Sequence, residues 1–217
     1  MDLTLNTNSA KAADSIASGI TDAGKYVGVI TRAESLTSTR GTQGLGLSFR
    51  TDTGQSADYL DIYTRKADGT ELMGAKAVNA ILACLKLRGA KLGTIQCEKW
   101  DSEAKQRTKV TVQGYPDMMG KRIGLLLQKE LGTHSETGAA TEKMVIFGVF
   151  SPDTELTASE ILDGKMNPER LPHMLQMLMA RPVRDNRKAS VQAGTPRPAT
   201  ASTPGTRFDD MDDDIPF

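Results

Sequence analysis

The sequence predicts a mainly β domain, followed by a short helical extension and a disordered acidic tail. Three observations carry this expectation. Apolar and polar residues alternate with period two over Leu45–Arg50 and again over Tyr59–Arg65, and one amphipathic helical segment follows them. A stretch rich in Pro, Ala, Ser and Thr then precedes an aspartate-rich end.

Residues 1–23 are rich in Ser, Thr, Asn and Ala without a sustained period and read as an N-terminal arm. Tyr26–Thr31 is a β-rich run, and Arg32 to Gly44 reads as a polar turn. Leu45, Leu47 and Phe49 alternate with Gly46, Ser48 and Arg50, which predicts a half-buried second strand with Phe49 inward. A turn at Asp52-Thr53-Gly54 leads to a third strand. Leu60, Ile62 and Thr64 share one face of it, and Tyr59, Asp61, Tyr63 and Arg65 share the other.

Asp68-Gly69-Thr70-Glu71 introduces a helix whose apolar face is predicted to be Ala75, Val78, Ile81, Leu82 and Leu85, with stop signals at Arg88 and Gly89. Residues 93–115 contain Trp100 and a short β-like run, Lys109–Val112. Two further strands are expected at Arg122–Leu131 and Lys143–Phe150, joined by the polar connector 132–141. Five strands with a helix between the third and fourth is the order of an OB-fold barrel, so residues 24–150 are expected to form one. SH3-like barrels and other small sheets give a similar string.

Thr157-Ala158-Ser159-Glu160 has capping-box spacing and predicts a short helix ended by Gly164. A second helix from Pro172 carries the stripe Met174, Leu175, Leu178 and Met179, expected to pack against the barrel. These make a helical extension over 151–180. Residues 181–208 hold too few apolar groups to offset ordering entropy, so a disordered linker is expected, reaching roughly 30 Å root-mean-square.

The composition narrows the function. No apolar run is long enough to cross a bilayer, and Met1-Asp2-Leu3-Thr4 carries neither a basic start nor an apolar block, so a cytoplasmic protein with no membrane contact is expected. Cys84 and Cys97 lack CxxC spacing or a nearby histidine and read as ordinary thiols. His134 and His173 have no evident nucleophile or metal partner. Gly44-Leu45-Gly46 lacks the third glycine of a dinucleotide fingerprint, and Gly120-Lys121 lacks the Ser or Thr of a phosphate loop. No catalytic residue, metal or cofactor is therefore expected, and the chain reads as a binding protein. Its net charge is zero, with 27 bases and 27 acids, yet the last nine residues hold five aspartates and no base, which leaves residues 1–208 at +5.

Those nine residues carry the most specific signal: Asp209, Asp210, Met211, Asp212, Asp213, Asp214, Ile215, Pro216 and Phe217. Pro216 stiffens the last step, and Phe217 sets a ring beside a terminal carboxylate. Such an end suits a small apolar pocket rimmed by Lys or Arg, with the aspartates steering the approach. This end is similar to the C-terminal tip of bacterial single-stranded DNA-binding proteins. The body resembles phage-encoded members of that class in Gly24–Thr31 with Gly41…Gly46, and in Tyr115-Pro116…Gly120-Lys121. The resemblance implies an OB-fold that coats single-stranded DNA without sequence preference. It also implies a tip that docks onto replication, repair or recombination proteins, in a host cytoplasm if phage-encoded. The family's DNA-contacting residues do not transfer by position, and its tetramer is not implied, although a homo-oligomer is compatible with the sequence.

From the residues themselves, a single-strand groove needs bases for phosphates and aromatic faces for nucleobases. The candidates are Arg32, Arg40 at the tip of the first strand connection, Arg50, Tyr59, Tyr63, Arg65, Lys66, Trp100, Lys121 and Arg122. The second and third strands are expected to bring Arg50, Tyr59, Tyr63 and Arg65 onto one surface. Two other readings stay open: a recombination protein that anneals strands, and an interaction protein that uses the tip without binding nucleic acid.

Overall fold

The computed structural model describes residues 19–101, 103, 105–134 and 137–187. The acidic tip 209–217, the arm up to residue 18 and the linker from 188 lie outside them. The described chain is mainly β, with a sheet that is antiparallel except at one short edge and with few helices.

Strand β1 (Gly24–Thr37) is the frame of the sheet. One of its edges pairs with β2 (Gln43–Thr51) from Gly28 to Thr37, and β2 pairs in turn with β3 (Ser56–Arg65). Its other edge is divided. Gly24–Val29 pairs with β6 (Arg122–Thr133), while Glu34 pairs with Gly114 at the end of β5. β5 (Gln106–Gly114) forms a hairpin with β4 (Gly93–Asp101), and β6 pairs with β7 (Ala140–Phe150). Helix α1 (Gly74–Cys84) lies between β3 and β4, and helices α2 (Ala158–Leu162) and α3 (Arg170–Ala180) follow β7. Strand β8 (Val183–Asp185) then runs parallel to Lys129–Leu131 of β6.

Four expectations need correction. β1 does not turn at Arg32 but continues to Thr37, because the hairpin covers the outer face of its second half and shields the polar residues there. The single run at Lys109–Val112 is one strand of a full hairpin, so five strands rather than two or three follow α1. Residues 183–185, read as linker, form β8, since β1 leaves the edge of β6 at Leu127 and the backbone groups beyond it need partners. Helix α1 ends at Cys84, before the expected stop; of the expected stripe Ile81 and Leu85 are buried and Val78 packs against the core, but the buried face is completed by Ala77 and Cys84 rather than by Ala75 and Leu82.

The core is apolar and continuous, built from Ile30, Leu47, Phe49, Leu60, Ile81 and Leu125 among others. A smaller cluster of Leu126, Phe150, Leu171 and Leu178 fixes α3 on the opposite face of β6 and β7, with Met174 and Leu175 against it. The expected stripe on α3 thus packs on the sheet, except that Met179 is exposed.

The capping box is present and has a further role. Glu160 is fully buried. Its Oε2 accepts from Thr157 N and Thr157 Oγ1, both at 2.8 Å, and its Oε1 accepts from Glu169 N at 2.7 Å and Arg170 N at 2.8 Å. One carboxylate therefore caps α2 and ties it to the start of α3. Burial alone would raise its pKa, but the hydrogen bonds from Thr157, Arg170 and Glu169 outweigh burial and hold it at about 2. The stabilisation from this depressed pKa is complete above the ordinary carboxylate range and is lost as pH falls toward the folded value. It amounts to about 3 kcal/mol. Glu160→Gln places an NH2 group against two donors and should lower stability at pH 7 by about 1–3 kcal/mol in urea unfolding. The gap to the unsubstituted protein should close between about pH 4.5 and about pH 2; a gap that stays constant across this window would contradict the role given to the carboxylate.

Candidate nucleic-acid interface

Strand β3 supplies the aromatic residues. Its alternation sends Leu60 and Ile62 into the core and leaves Tyr59 52% and Tyr63 42% exposed on the outer face, as the sequence predicts. Tyr63 lies over Gly44 of β2, where an added Cβ would meet Ile62 O at 2.6 Å, so glycine is what lets the strands approach there. Tyr59 is unusual. The β2–β3 register slips between Leu47 and Phe49, bulging Asp58 and Tyr59, and Tyr59 takes φ +58°. A left-handed tyrosine is strained by about 1–3 kcal/mol and persists only where its surroundings hold it. Here the Arg32 guanidinium sits 5.1 Å from the ring centroid.

Arg32 was a candidate phosphate contact, and the structure places it elsewhere. It is buried at 3% exposure and fully engaged. Nε donates to Ser48 Oγ at 3.1 Å, Nη1 to Glu34 Oε2 at 3.0 Å and Nη2 to Leu47 O at 3.3 Å, with Asp61 Oδ1 at 3.7 Å. Glu34 also accepts from Lys99 Nζ at 2.7 Å, and Lys99 comes from the hairpin. Beside this group, Arg107 of the hairpin donates to Asp58 Oδ2 at 2.5 Å. Burial works to raise the Asp58 carboxyl, but hydrogen bonds from Arg107 and Ser48 prevail and keep it below the usual range. For Asp61 burial wins over the pull of Arg32, and its carboxyl is pushed up. Arg32 is a structural ion, hidden because the hairpin lies over it.

The remaining candidates fall at two ends of one face. Arg50 pairs in register with Ser56 and with Val29, and Val29 pairs with Arg122, so Arg50 and Arg122 share a row across β2, β1 and β6, with Lys121 beside Arg122. Arg122 is held by Asp52 at 2.6 Å. Tyr63 and Arg65 stand opposite Gly44 and Gln43 at the far end of β2, with Lys66 next. Arg40 joins that end, because Gly41 packs against Ala67. Arg50 is thus on the expected face but roughly 20 Å from Tyr63, at about 3.3 Å per residue. Trp100, 54% exposed, pairs across the hairpin with Arg107, and the Arg107–Asp58 pair brings it toward Tyr59. The arrangement is an extended track, basic at each end and aromatic in the middle.

Beside the track, β7 returns next to β3, yet among the described residues no ladder joins them. The seam opens as a cleft of about 910 Å³. Tyr59 and Tyr63 form one wall, Met73 and Met144 contribute apolar surface, and the bases Lys76, Lys143 and Arg184 stand among the acids Asp61, Glu71 and Glu130. Lys143 and Arg184 are bridged by Glu130, at 2.9 and 3.8 Å. Sequence reasoning missed these bases. Lys76 read as a solvated helix position and Arg184 as linker; no local pattern shows that α1 and β8 meet at one seam.

The described residues contain no group of three or more His, Cys, Asp or Glu able to hold a metal ion and no helix long and apolar enough to cross a membrane. Cys84 and Cys97 are both free and buried, and burial pushes the Cys84 thiol up to about 12. No protein family matches the chain, and no curated protein does.

The buried ion group separates from the exposed bases by a stability test. Arg32→Ala takes the cation from Asp61 and leaves buried Glu34 with Lys99 alone, and should cost about 3–5 kcal/mol of unfolding free energy. Arg65→Ala and Arg50→Ala should stay within about 0.5 kcal/mol. Equal, small losses for all three would mean that Arg32 is not structural.

Proposed function

We propose that the protein binds single-stranded DNA, with the outer face of β3 and the adjoining cleft as its groove and the acidic tip as its protein-docking end. The observation that carries this reading is the pair of exposed tyrosines, Tyr59 and Tyr63, lining a largely apolar cleft beside a face whose exposed bases, Arg50, Lys121 and Arg65 among them, lie at its two ends. Aromatic faces stack on bases of any identity, and exposed Arg and Lys neutralise phosphates, so the chemistry favours sequence-tolerant single strands. A duplex hides its base faces and gains little from the tyrosines. Binding alone accounts for this site, and no covalent step is assigned to it.

The pairing order supports an OB-type barrel. β1, β2 and β3 form a meander, α1 follows, β6 returns antiparallel to β1, and β7 comes back beside β3. In this reading the β4–β5 hairpin is an insertion between α1 and the fourth barrel strand, and the barrel is left open at the β3–β7 seam. The strand 2–3 face is where OB-folds hold oligonucleotides. The tip then adds a second activity on the same chain: the groove holds the strand, and Ile215-Pro216-Phe217 recruits replication, repair or recombination proteins.

Titration with labelled oligonucleotides should give salt-sensitive binding to single strands. Neutralising about five phosphates sets a log–log salt slope near −3.5, at roughly −0.7 per phosphate. Tyr63→Ala should weaken binding by about 1–3 kcal/mol, while Tyr59→Phe should retain it, since stacking needs the ring rather than the hydroxyl. Tighter binding to duplex, or affinity indifferent to Tyr63, would overturn the groove.

Deleting Ile215–Phe217 should abolish capture of a purified tip-binding partner while single-strand affinity is retained. Loss of strand binding in that variant would refute the division of labour.

A further inference from the structure

The hairpin of β4 and β5 is attached to the sheet differently from every other strand pair. Its pairing with β1 consists of one register position, Glu34 with Gly114, followed by the bond from Tyr115 N to Ala33 O at 2.8 Å. Gly114 pairs with Gly93 at the base of the hairpin, so two glycines face each other there. An added Cβ on Gly114 would fall 2.3 Å from Ala33 O, so the backbone approaches closely at that point. Above this base the hairpin lies over the outer face of β1, held by two buried side chains and by two ion pairs. Ile95 and Cys97 of β4 are buried on its inner side, yet neither joins either apolar cluster of the core. The fastenings are Lys99 to Glu34 and Arg107 to Asp58, both from the distal half of the hairpin, where Arg107 is 42% exposed.

From this we infer that the hairpin is a flap hinged at Gly93 and Gly114, and that the Arg107–Asp58 pair is a latch released by a polyanion. Apolar packing holds an element regardless of salt, whereas a partly exposed ion pair is screened and can change partners. A phosphate oxygen competes with a carboxylate for the same guanidinium fork. Asp58 is also the neighbour of strained Tyr59, so releasing Arg107 loosens both the bulge carrying Tyr59 and the end of the flap carrying Trp100, leaving the Lys99–Glu34 pair as the remaining charged tether. A strand arriving at the track would thereby open the surface that stacks on it. The identity of the polyanion as a nucleic-acid strand rests on the proposed function; the flap itself does not.

Cys97 is a native reporter of the motion. Its thiol lies on the inner side of the hairpin, buried near Glu34, whereas Cys84 is buried in α1 within the core. Alkylation of the full-length chain by N-ethylmaleimide, quantified at each cysteine by mass spectrometry, measures flap opening at Cys97 and global unfolding at Cys84. Raising salt from about 0.05 M to about 1 M, where the screening length falls to about 3 Å, should accelerate Cys97 and leave Cys84 unchanged. Arg107→Gln at low salt should accelerate Cys97 by up to about fivefold, the scale of one exposed ion pair. Saturating oligothymidylate should move the unsubstituted protein toward the Arg107→Gln rate. Cys97 labelling that ignores both salt and Arg107→Gln, or that rises only together with Cys84, would overturn the flap. If anisotropy shows the oligonucleotide bound while Cys97 keeps its free rate, release by polyanion is wrong. If the oligonucleotide does not bind at all, the proposed function fails, and the ligand-free arms still decide the flap.

Discussion

Burying Glu34 and Arg32 on the outer face of β1 removes two charges from water, and the surrounding face is arranged to make that tolerable. An isolated ion in such a place costs several kcal/mol, so each must be met by partners with good geometry. Arg32 meets Glu34, Ser48, Leu47 and Asp61, and Glu34 meets Lys99 as well. Among the described residues no buried side-chain polar atom is left without a partner. The placement of the hairpin follows from this, since Lys99 must reach Glu34. So does the stance of Tyr59, whose ring covers the guanidinium from the other side.

The same arrangement sets what the outer face offers a ligand. Arg32 is consumed by structure, so its charge reaches the surface only through the orientation it gives Tyr59. The exposed bases are displaced to the two ends, and the tyrosines stand between them at the edge of the cleft. β1 makes this possible by pairing with β2 on one side while β6 and β5 share its other edge. Sharing the edge lets the hairpin rise over the outer face while β6 and β7 carry the sheet round toward β3. The cleft lies where that sheet stops short of closing.

The extension after β7 is organised by one carboxylate. Glu160 caps α2, anchors the first turn of α3, and so directs the chain through Pro182 into β8 beside β6. Arg184 and Asn186 reach the cleft by this route. The residues that lead toward the acidic end thus leave the described body at the wall of the proposed groove.

Local pattern determined much of this on its own. Period-two alternation placed Leu60 and Ile62 inside and Tyr59 and Tyr63 outside, because a pleated strand leaves no other choice. The spacing of Thr157 and Glu160 gave the capping box, because a helix start requires an acceptor at that distance. The charge and the Ile-Pro-Phe ending of the tip were likewise legible, being properties of the chain itself. The pattern failed where a distant segment sets the environment. Arg32 read as the start of a solvated turn because nothing nearby indicates that residues 93–114 fold over it. The alternation within 93–101 is obscured by charged residues, of which Lys99 finds its partner on β1, and Val183–Asp185 looks unable to order because its hydrogen bonds come from β6. Tertiary structure alone decided which arginine is buried, that Arg50 stands far from Tyr63 on their shared face, and that α1, β3, β7 and β8 meet at one seam. The physical reason is the same in each case: sequence spacing fixes which side of a strand or helix a residue occupies, while the partner that covers or exposes that side is supplied from far along the chain.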